Sequence, residues 1–283
     1  DVLPFWVADM DFRTPAPVID ALNARAAHGI FGYTQVKDDY FSVLQNWFRT
    51  RHDWTVERSD LIITPGVVFA IANAIRAFTK KGESILIQQP VYYPFANMIR
   101  QNERVLIDSP LHLIEGRYEI DFEDFERQAR DPRTTLFILC SPHNPVGRVW
   151  SREDLERLGD ICAKNGVRVF ADELHCDILM PGYKHQPFGN VDAVCRENSM
   201  TVIAPSKTFN LAGLQATVTI TPNPRMRLLY ENVLARNSIP RPNLFAITGL
   251  EAAYRHGERW LDELLVYLEG NYDFLVKDLK ERL

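Results

Sequence analysis

Short runs rich in Val, Ile and Leu alternate along this chain with longer segments of helical periodicity. The apolar runs predict strands at 61–64, 84–88, 104–108, 135–140, 167–172, 201–204 and 216–220. The periodic segments predict helices at 16–29, 38–52, 67–82, 151–166 and 258–283. Apolar strands separated by helices are typical of a sheet that is covered on both faces. The sequence therefore predicts the α/β class, with a three-layer α/β/α sandwich around a mostly parallel sheet.

The composition is that of an ordinary globular protein, and it argues against several classes of partner. Of the 283 residues, 46% are hydrophobic and 24% are charged, and the net charge is −5 with both signs interleaved. Nucleic acids and anionic membranes usually require a basic stripe, which this pattern does not contain. The longest apolar runs have strand length, and the first residues do not resemble a signal peptide. We therefore expect no nucleic-acid partner and no membrane span.

The spacing of the cysteines and histidines predicts reduced thiols and no metal centre. The four cysteines form no CxxC pair, and the seven histidines form no HExxH motif. Four cysteines in a chain of this length do not indicate a disulfide scaffold, so we expect reduced thiols and a cytoplasmic location. Glu173, His175, Cys176 and Asp177 lie close together, but no matching second cluster accompanies them, so zinc is not expected there.

Charged residues stand at the carboxyl ends of two predicted strands, where open α/β sheets bind their ligands. Asp172 directly follows "VRVFA", and Lys207 follows "TVIAPS". A carboxylate there needs a cation or hydrogen-bond donors, which a helix cap or a structural ion pair would also provide. A lone lysine usually extends to solvent, whereas a desolvated amine can form a Schiff base with an aldehyde. Neither residue alone decides between these alternatives.

Three turns carry groups that suit a flat, phosphorylated ligand. Asn144 lies in "SPHNPVG", Tyr92 lies between prolines in "QQPVYYPF", and Gly66 precedes a predicted helix in "TPGVV". An amide, an aromatic face and the N–H groups of a helix N-terminus could bind an oxygen, a ring and a phosphate. Singly, they could also be a turn asparagine, a core aromatic residue and a common Pro-Gly turn. Together with Asp172 and Lys207, they predict pyridoxal phosphate as the ligand.

Several motifs resemble one enzyme family, in order, along nearly the whole chain. They are "LPFWVADMDF", "FGYT", "SPHNPVGRVW", "ADELHCDI" and "APSKTFNLAGLQA". The chain resembles the fold-type-I pyridoxal-phosphate enzymes of the class I/II aminotransferase superfamily. The most similar branch is that of the cystathionine β-lyases or C–S lyases, which includes the maltose-regulon-modulator type. The resemblance implies an aspartate-aminotransferase-like large domain and a homodimer.

The resemblance also implies a role for each cofactor-binding residue. Lys207 would bind the cofactor aldehyde covalently and act as the general base at the substrate Cα, while Asp172 would pair with the pyridine nitrogen. Asn144 would hydrogen-bond the phenolic oxygen, and Tyr92 would stack on the ring. His175 would support that oxygen or the ring, with a merely packed histidine as the alternative. The contacts to the phosphate would come from Gly66, Val67, Val68, Ser206 and, from the partner subunit, Tyr33.

Substrate contacts are implied for Trp6, Ala8 and Asn144, with Trp6 as a wall of the pocket. Two positions depart from many relatives. Ala204 stands where many relatives have a serine, and Gln215 stands where many have an arginine that contacts the phosphate. The phosphate charge would then be met by backbone amides and hydroxyl groups, with Arg241 as one candidate for an additional basic residue.

The resemblance further implies two domains. Residues 1–257 would form the large cofactor-binding domain. Residues 258–283 would begin the helix that connects it to a small C-terminal domain, most of which this chain does not include. The arginine with which the family binds the substrate carboxylate would lie in that small domain.

The activity implied by the resemblance is α,β-elimination. L-Cystathionine or another cysteine S-conjugate would yield a thiol, pyruvate and ammonia. Two alternatives stay open: an aminotransferase that uses the same residues, and a protein of this fold that regulates transcription by binding another protein. The residues around Lys207 do not distinguish the lyase from the aminotransferase.

Overall fold

A computed structural model describes residues 8–238 and 242–282 of the chain. Within these ranges, seven strands form one sheet and two short strands form a separate hairpin. The strands are β1 (Leu61–Thr64), β2 (Ser84–Ile87), β3 (Val105–Asp108), β4 (His112–Ile114), β5 (Arg117–Glu119), β6 (Thr134–Cys140), β7 (Arg168–Asp172), β8 (Ser199–Ile203) and β9 (Thr217–Ile220).

The large sheet has the strand order β1-β9-β8-β7-β6-β2-β3. Strands β8, β7, β6, β2 and β3 pair in parallel, whereas β9 runs antiparallel to both of its neighbours. Each strand of this sheet overlaps one of the predicted apolar runs. The prediction of a mostly parallel sheet is therefore confirmed.

Helices connect most of these strands and cover the sheet. They are α1 (Ala16–Ala27), α2 (Asp38–His52), α3 (Val67–Phe78), α4 (Pro94–Gln101), α5 (Phe122–Ala129), α6 (Arg152–Lys164), α7 (Ala193–Glu197), α8 (Pro205–Thr208), α9 (Pro224–Arg236), α10 (Leu244–His256) and α11 (Glu258–Arg282). None of these described helices is both long and apolar enough to cross a membrane.

The side chains of β6 show how the two faces of the sheet are covered. Leu136 and Ile138 pack in a core cluster with α3 and α4, whereas Phe137 and Leu139 pack in a second cluster with α5 and α6. Successive residues of a strand point to opposite faces of the sheet, so these two clusters lie on opposite sides of it. The predicted three-layer α/β/α arrangement is confirmed.

A third core cluster lies at the β1–β9 side of the sheet. It joins α1, α2 and α10 to the segment that follows α8, through buried residues such as Leu44, Phe48, Phe209 and Leu250. Helix α2 therefore lies beside the segment that carries Lys207.

The β4–β5 hairpin was not predicted from the sequence. Its strands have three residues each, and Leu113 and Ile114 are 60% and 55% exposed. Segments this short carry too few residues for a periodic pattern to stand out.

Candidate active site

The carboxyl ends of the central strands bring the predicted site residues to one edge of the sheet. Cys140 at the end of β6 pairs with Asp172 at the end of β7, and Asp172 pairs with Val202 of β8. Asn144 follows β6, and Lys207 follows β8 in the short helix α8. Because these three strands are parallel, the segments that follow them converge at the same edge.

These segments enclose a cavity of about 430 Å³. This volume lies within the usual range for a small-molecule site. The cavity is lined by a carboxylate, an amine, an amide, an imidazole and aromatic rings. The lining residues are Ala8, Val67, Val91, Tyr92, Tyr93, Cys140, Asn144, Pro145, Asp172, Leu174, His175 and Lys207.

Asp172 is the buried acid of the cavity, with 6% of its surface exposed. Burial raises the pKa of Asp172 to about 7, although the Leu174 N–H and the Lys207 ammonium act in the opposite direction. The Leu174 N–H donates to Asp172 Oδ1 at 3.2 Å. A cation placed against this carboxylate would favour its ionised form. Asp172 therefore suits a positively charged ligand atom.

His175 lies on the same segment as Asp172 and also faces the cavity. Burial lowers the pKa of His175, and the Lys207 ammonium lowers it further. The imidazole is therefore neutral near pH 7, with one nitrogen that can donate a hydrogen bond and one that can accept.

The turn that presents Asn144 is held from two sides. The Asn144 N–H donates to Cys140 Sγ at 3.4 Å, and His143 Nε2 lies 3.1 Å from the Pro90 carbonyl oxygen. Burial lowers the pKa of His143 to about 4, so the ring is neutral and Nε2–H is the donor to that oxygen. This bond ties the loop that carries Asn144 to the loop that carries Tyr92.

Tyr92 offers an aromatic surface to the cavity. Its ring is half-buried and packs edge-on against Phe95, with 5.8 Å between the ring centroids. Burial raises the pKa of Tyr92, and the nearby Asp172 carboxylate raises it further. The phenol is therefore neutral near pH 7.

The N-terminus of α3 borders the cavity at Val67. Gly66 precedes this helix with a φ of 78°, a left-handed conformation that glycine adopts without steric cost. Within the described residues, no side chain caps this N-terminus. The N–H groups of its first turn therefore have no side-chain acceptor, and the helix dipole favours an anion beside them.

Most of the predicted site residues lie around this one cavity. Lining it are Ala8, Val67, Tyr92, Asn144, Asp172, His175 and Lys207. Three more, which are Gly66, Val68 and Ser206, adjoin lining residues in the sequence without lining the cavity themselves. For all ten of these residues, contacts with a ligand stay predictions.

Tyr33 lies apart from the cavity. It is fully exposed and borders a different cavity, between residues 31–34 and 242–244. Its predicted contact with a partner subunit's cofactor stays a prediction. Trp6 and Arg241 lie outside the described residues.

Sequence reasoning missed five lining residues. Val91 and Tyr93 flank Tyr92, Pro145 follows Asn144, Cys140 ends β6, and Leu174 follows the Asp172–Glu173 pair. Each is a neighbour of a predicted residue or of a strand end. The sequence signal available was therefore their position beside a predicted residue or at a strand end.

Comparisons with known proteins agree with this geometry. A family model described as aminotransferase class I and II matches residues 1–282. Cystathionine beta-lyase PatB of Bacillus subtilis is 47% identical over 271 residues, which cover 96% of this chain and 70% of that protein. Protein MalY of Escherichia coli is 34% identical over 277 residues, which cover 97% of this chain and 70% of that protein.

A solved structure of a similar protein also superposes on this chain. It is that of a PLP-bound putative aminotransferase from Clostridium difficile 630, which superposes with a TM-score of 0.96 at 44% identity. The match covers 99% of this chain and 72% of that one. The family and the lyase branch predicted from the motifs are therefore confirmed. The chain belongs to the class I and II aminotransferase family.

Proposed function

We propose that this chain carries the active site of a pyridoxal-phosphate-dependent carbon–sulfur lyase. The enzyme cleaves L-cystathionine or other cysteine S-conjugates by α,β-elimination. The observation that carries the proposal is the single cavity lined by both the buried Asp172 carboxylate and the Lys207 amine. The name of the Bacillus subtilis relative, a cystathionine beta-lyase, supports the reaction type.

The chemistry of the cavity lining fits pyridoxal phosphate. Asp172 suits a protonated pyridine nitrogen, because burial has raised its pKa and a cation would stabilise its ionised form. The Lys207 amine suits the aldehyde, and the Asn144 amide suits the phenolic oxygen. The α3 N-terminus behind Gly66 suits the phosphate. The Clostridium difficile relative is described as PLP-bound, which supports the same cofactor.

In this mechanism, Lys207 Nζ takes the proton from the substrate Cα. When bound, the cofactor supplies an aldehyde for the substrate amine and a ring that draws electrons away from Cα. The bond between Cβ and sulfur then breaks, and both of its electrons leave with the sulfur as a thiolate. The remaining three-carbon enamine reacts with water to give pyruvate and ammonia.

The other lining residues hold the reacting groups in place. Asp172 keeps a proton at the pyridine nitrogen, and its buried position strengthens that interaction. Asn144 and the neutral His175 orient the phenolic oxygen by hydrogen bonding. Tyr92 covers one face of the ring and excludes water from it.

A pyruvate assay tests the reaction. Holoenzyme supplied with L-cystathionine is expected to release pyruvate and a thiol in equal amounts, without any added 2-oxo acid. An aminotransferase is the second candidate, because the Clostridium difficile relative is described as one. Amino-group transfer would require a 2-oxo acid as acceptor, so turnover only in its presence would refute the lyase assignment and support the aminotransferase.

A homodimer in which Tyr33 reaches the partner's cofactor phosphate is also part of this proposal. Tyr33 is fully exposed beside Ile30 and Phe31, which are 66% and 60% exposed. A cluster of large apolar side chains on the surface is typical of an interaction site.

We expect Tyr33→Phe to weaken cofactor binding by roughly tenfold, since one hydrogen bond to a charged group is lost. The dimer should persist in sedimentation, because the aromatic surface is retained. Tyr267→Phe, at another exposed tyrosine, serves as the control. Unchanged cofactor affinity in Tyr33→Phe would contradict this role.

Three further expectations stay predictions. The first is the division into a large domain at 1–257 and a connecting helix from 258, which the start of α11 at Glu258 supports. The carboxylate-binding arginine would belong to the small domain that follows this helix.

The second is a cytoplasmic location, which the four buried free thiols favour. A regulatory protein partner would be tested by affinity capture with the whole protein.

A further inference from the structure

The segment that contains Asp172 carries two more buried acids, and both are paired. Glu173 accepts hydrogen bonds from His185 Nε2 at 2.8 Å and from the Phe188 N–H at 2.7 Å. Asp177 accepts from three side chains, which are Thr208 Oγ1 at 2.8 Å, His52 Nε2 at 2.9 Å and Trp47 Nε1 at 3.2 Å. The mechanism above uses neither acid.

The Asp177–Thr208 bond reaches the helix that carries the reactive lysine. Helix α8 has four residues, and Thr208 is the last of them, directly after Lys207. A helix this short is not stable by itself, so its position depends on tertiary contacts. The fully buried Thr208 hydroxyl makes such a contact by donating to Asp177 Oδ2.

Asp177 is itself firmly held. Burial raises the pKa of Asp177, but the hydrogen bonds from His52, Thr208 and Trp47 outweigh it and bring the pKa below its usual value. The carboxylate therefore stays ionised and accepts all three bonds. His52 and Trp47 belong to α2, so Asp177 joins α8 to a long, well-packed helix.

We infer that Asp177 is a positioning residue for Lys207, acting through Thr208. Asp172 and Asp177 lie on one short segment, which is stiffened by backbone hydrogen bonds from Cys176 N to Glu173 O and from Ile178 N to His175 O, both 3.1 Å long. One end of the segment faces the cavity, and the other end holds the lysine helix. The segment thereby sets the distance between the acid and the amine that act on the cofactor.

A metal site is the alternative use of this cluster. Ligand atoms of His52, Cys176 and Asp177 lie within 4.8 Å of one another. In the structure, however, both oxygens of Asp177 already accept hydrogen bonds, and His52 Nε2 must carry a proton to donate one. These protons favour the hydrogen-bonded arrangement over metal ligation.

The test replaces Thr208 with valine in the holoenzyme, and it rests on the proposed lyase function. Valine keeps the shape of the side chain but removes the donor to Asp177. We expect kcat with L-cystathionine to fall by roughly 10- to 100-fold, since small displacements of a reacting group are costly. KM should change little, because Thr208 does not line the cavity. Thr208→Ser, which retains the hydroxyl, should restore most of the rate.

A second readout does not depend on turnover. Cofactor-free protein is mixed with pyridoxal phosphate, and its covalent capture by Lys207 is followed by absorbance. Capture should be slower in Thr208→Val than in the wild type. The matched control is Thr219→Val, which removes an equally buried hydroxyl that donates to the Ile62 carbonyl oxygen at 3.2 Å. Thr219 does not line the cavity, so its variant should keep both kcat and the capture rate.

Three outcomes would overturn the inference. The first is a Thr208→Val variant whose kcat and capture rate equal those of the wild type. The second is a Thr219→Val variant that loses as much kcat and capture rate as Thr208→Val does. The third is inhibition of the wild type by a chelator, if added zinc restores the activity. Failure of the wild type to release pyruvate would instead count against the proposed reaction. In that case the capture rates of the two variants would still test the positioning role.

Discussion

Replacing Lys207 with alanine is expected to lower pyruvate release from L-cystathionine by at least about 100-fold in the holoenzyme. The amine lines the cavity together with Asp172, and the mechanism uses it twice, as the covalent attachment point and as the base at Cα. Alanine can do neither. Borohydride reduction followed by mass spectrometry checks the first role, because the wild type should retain the cofactor covalently and the variant should not.

Two further variants distinguish the loss of the reactive amine from an unspecific effect of replacing a lysine. Lys207→Arg keeps a positive charge without a free amine, so it should lose activity as Lys207→Ala does. Lys164→Ala removes a lysine whose side chain is 73% exposed, and it should retain full activity. Turnover of Lys207→Ala at the wild-type rate would show that the mechanism is wrong.

Replacing Asp172 with asparagine is expected to lower turnover by at least about 100-fold. The neutral amide of asparagine cannot stabilise a protonated pyridine nitrogen as the charged carboxylate of Asp172 does. The same change should stabilise the cofactor-free protein near pH 8. A buried carboxylate with a raised pKa opposes folding once it ionises, and asparagine has no such cost. Activity and stability should thus move in opposite directions.

The pH dependence of this stabilisation follows from the sign of the pKa shift. The pKa of Asp172 is about 7 in the folded protein, against about 4 in an unfolded chain. Between these values, the folded protein holds a proton that the unfolded chain has released, so the wild type loses stability as pH rises. The loss is at most on the order of 4 kcal/mol and is complete above about pH 7.

Urea unfolding of the cofactor-free proteins at pH 4 to 8 measures this effect. The midpoint of Asp172→Asn minus that of the wild type should increase with pH across the range. The exposed Asp160 provides a matched aspartate-to-asparagine control. A constant difference for Asp172→Asn would mean that its carboxylate does not titrate near neutral pH in the folded protein.

Local patterns predicted the sheet and most of the site. The Val-, Ile- and Leu-rich runs locate each strand of the large sheet, because strands buried on both faces need apolar side chains along their whole length. Once the sheet is known to be mostly parallel, the residues after its strands must converge. Asp172, Asn144 and Lys207 could therefore be placed at one edge from the sequence alone.

Contacts between distant segments could not be predicted in this way. Nothing near Thr208 in the sequence indicates that its hydroxyl meets Asp177, 31 residues earlier. Likewise, the bond from His143 to the Pro90 carbonyl oxygen joins two loops 53 residues apart. The β4–β5 hairpin was missed because its strands are too short for a pattern to stand out.

The sequence by itself determined which groups are available for chemistry and which edge of the sheet presents them. Only the tertiary structure decided that Asp172 is buried enough to have a pKa of about 7 and that Asp177 is ionised and holds the helix of Lys207. The reason is that desolvation and hydrogen bonding depend on every element packed around a group. Residue type and local periodicity do not indicate which elements will pack around a given group.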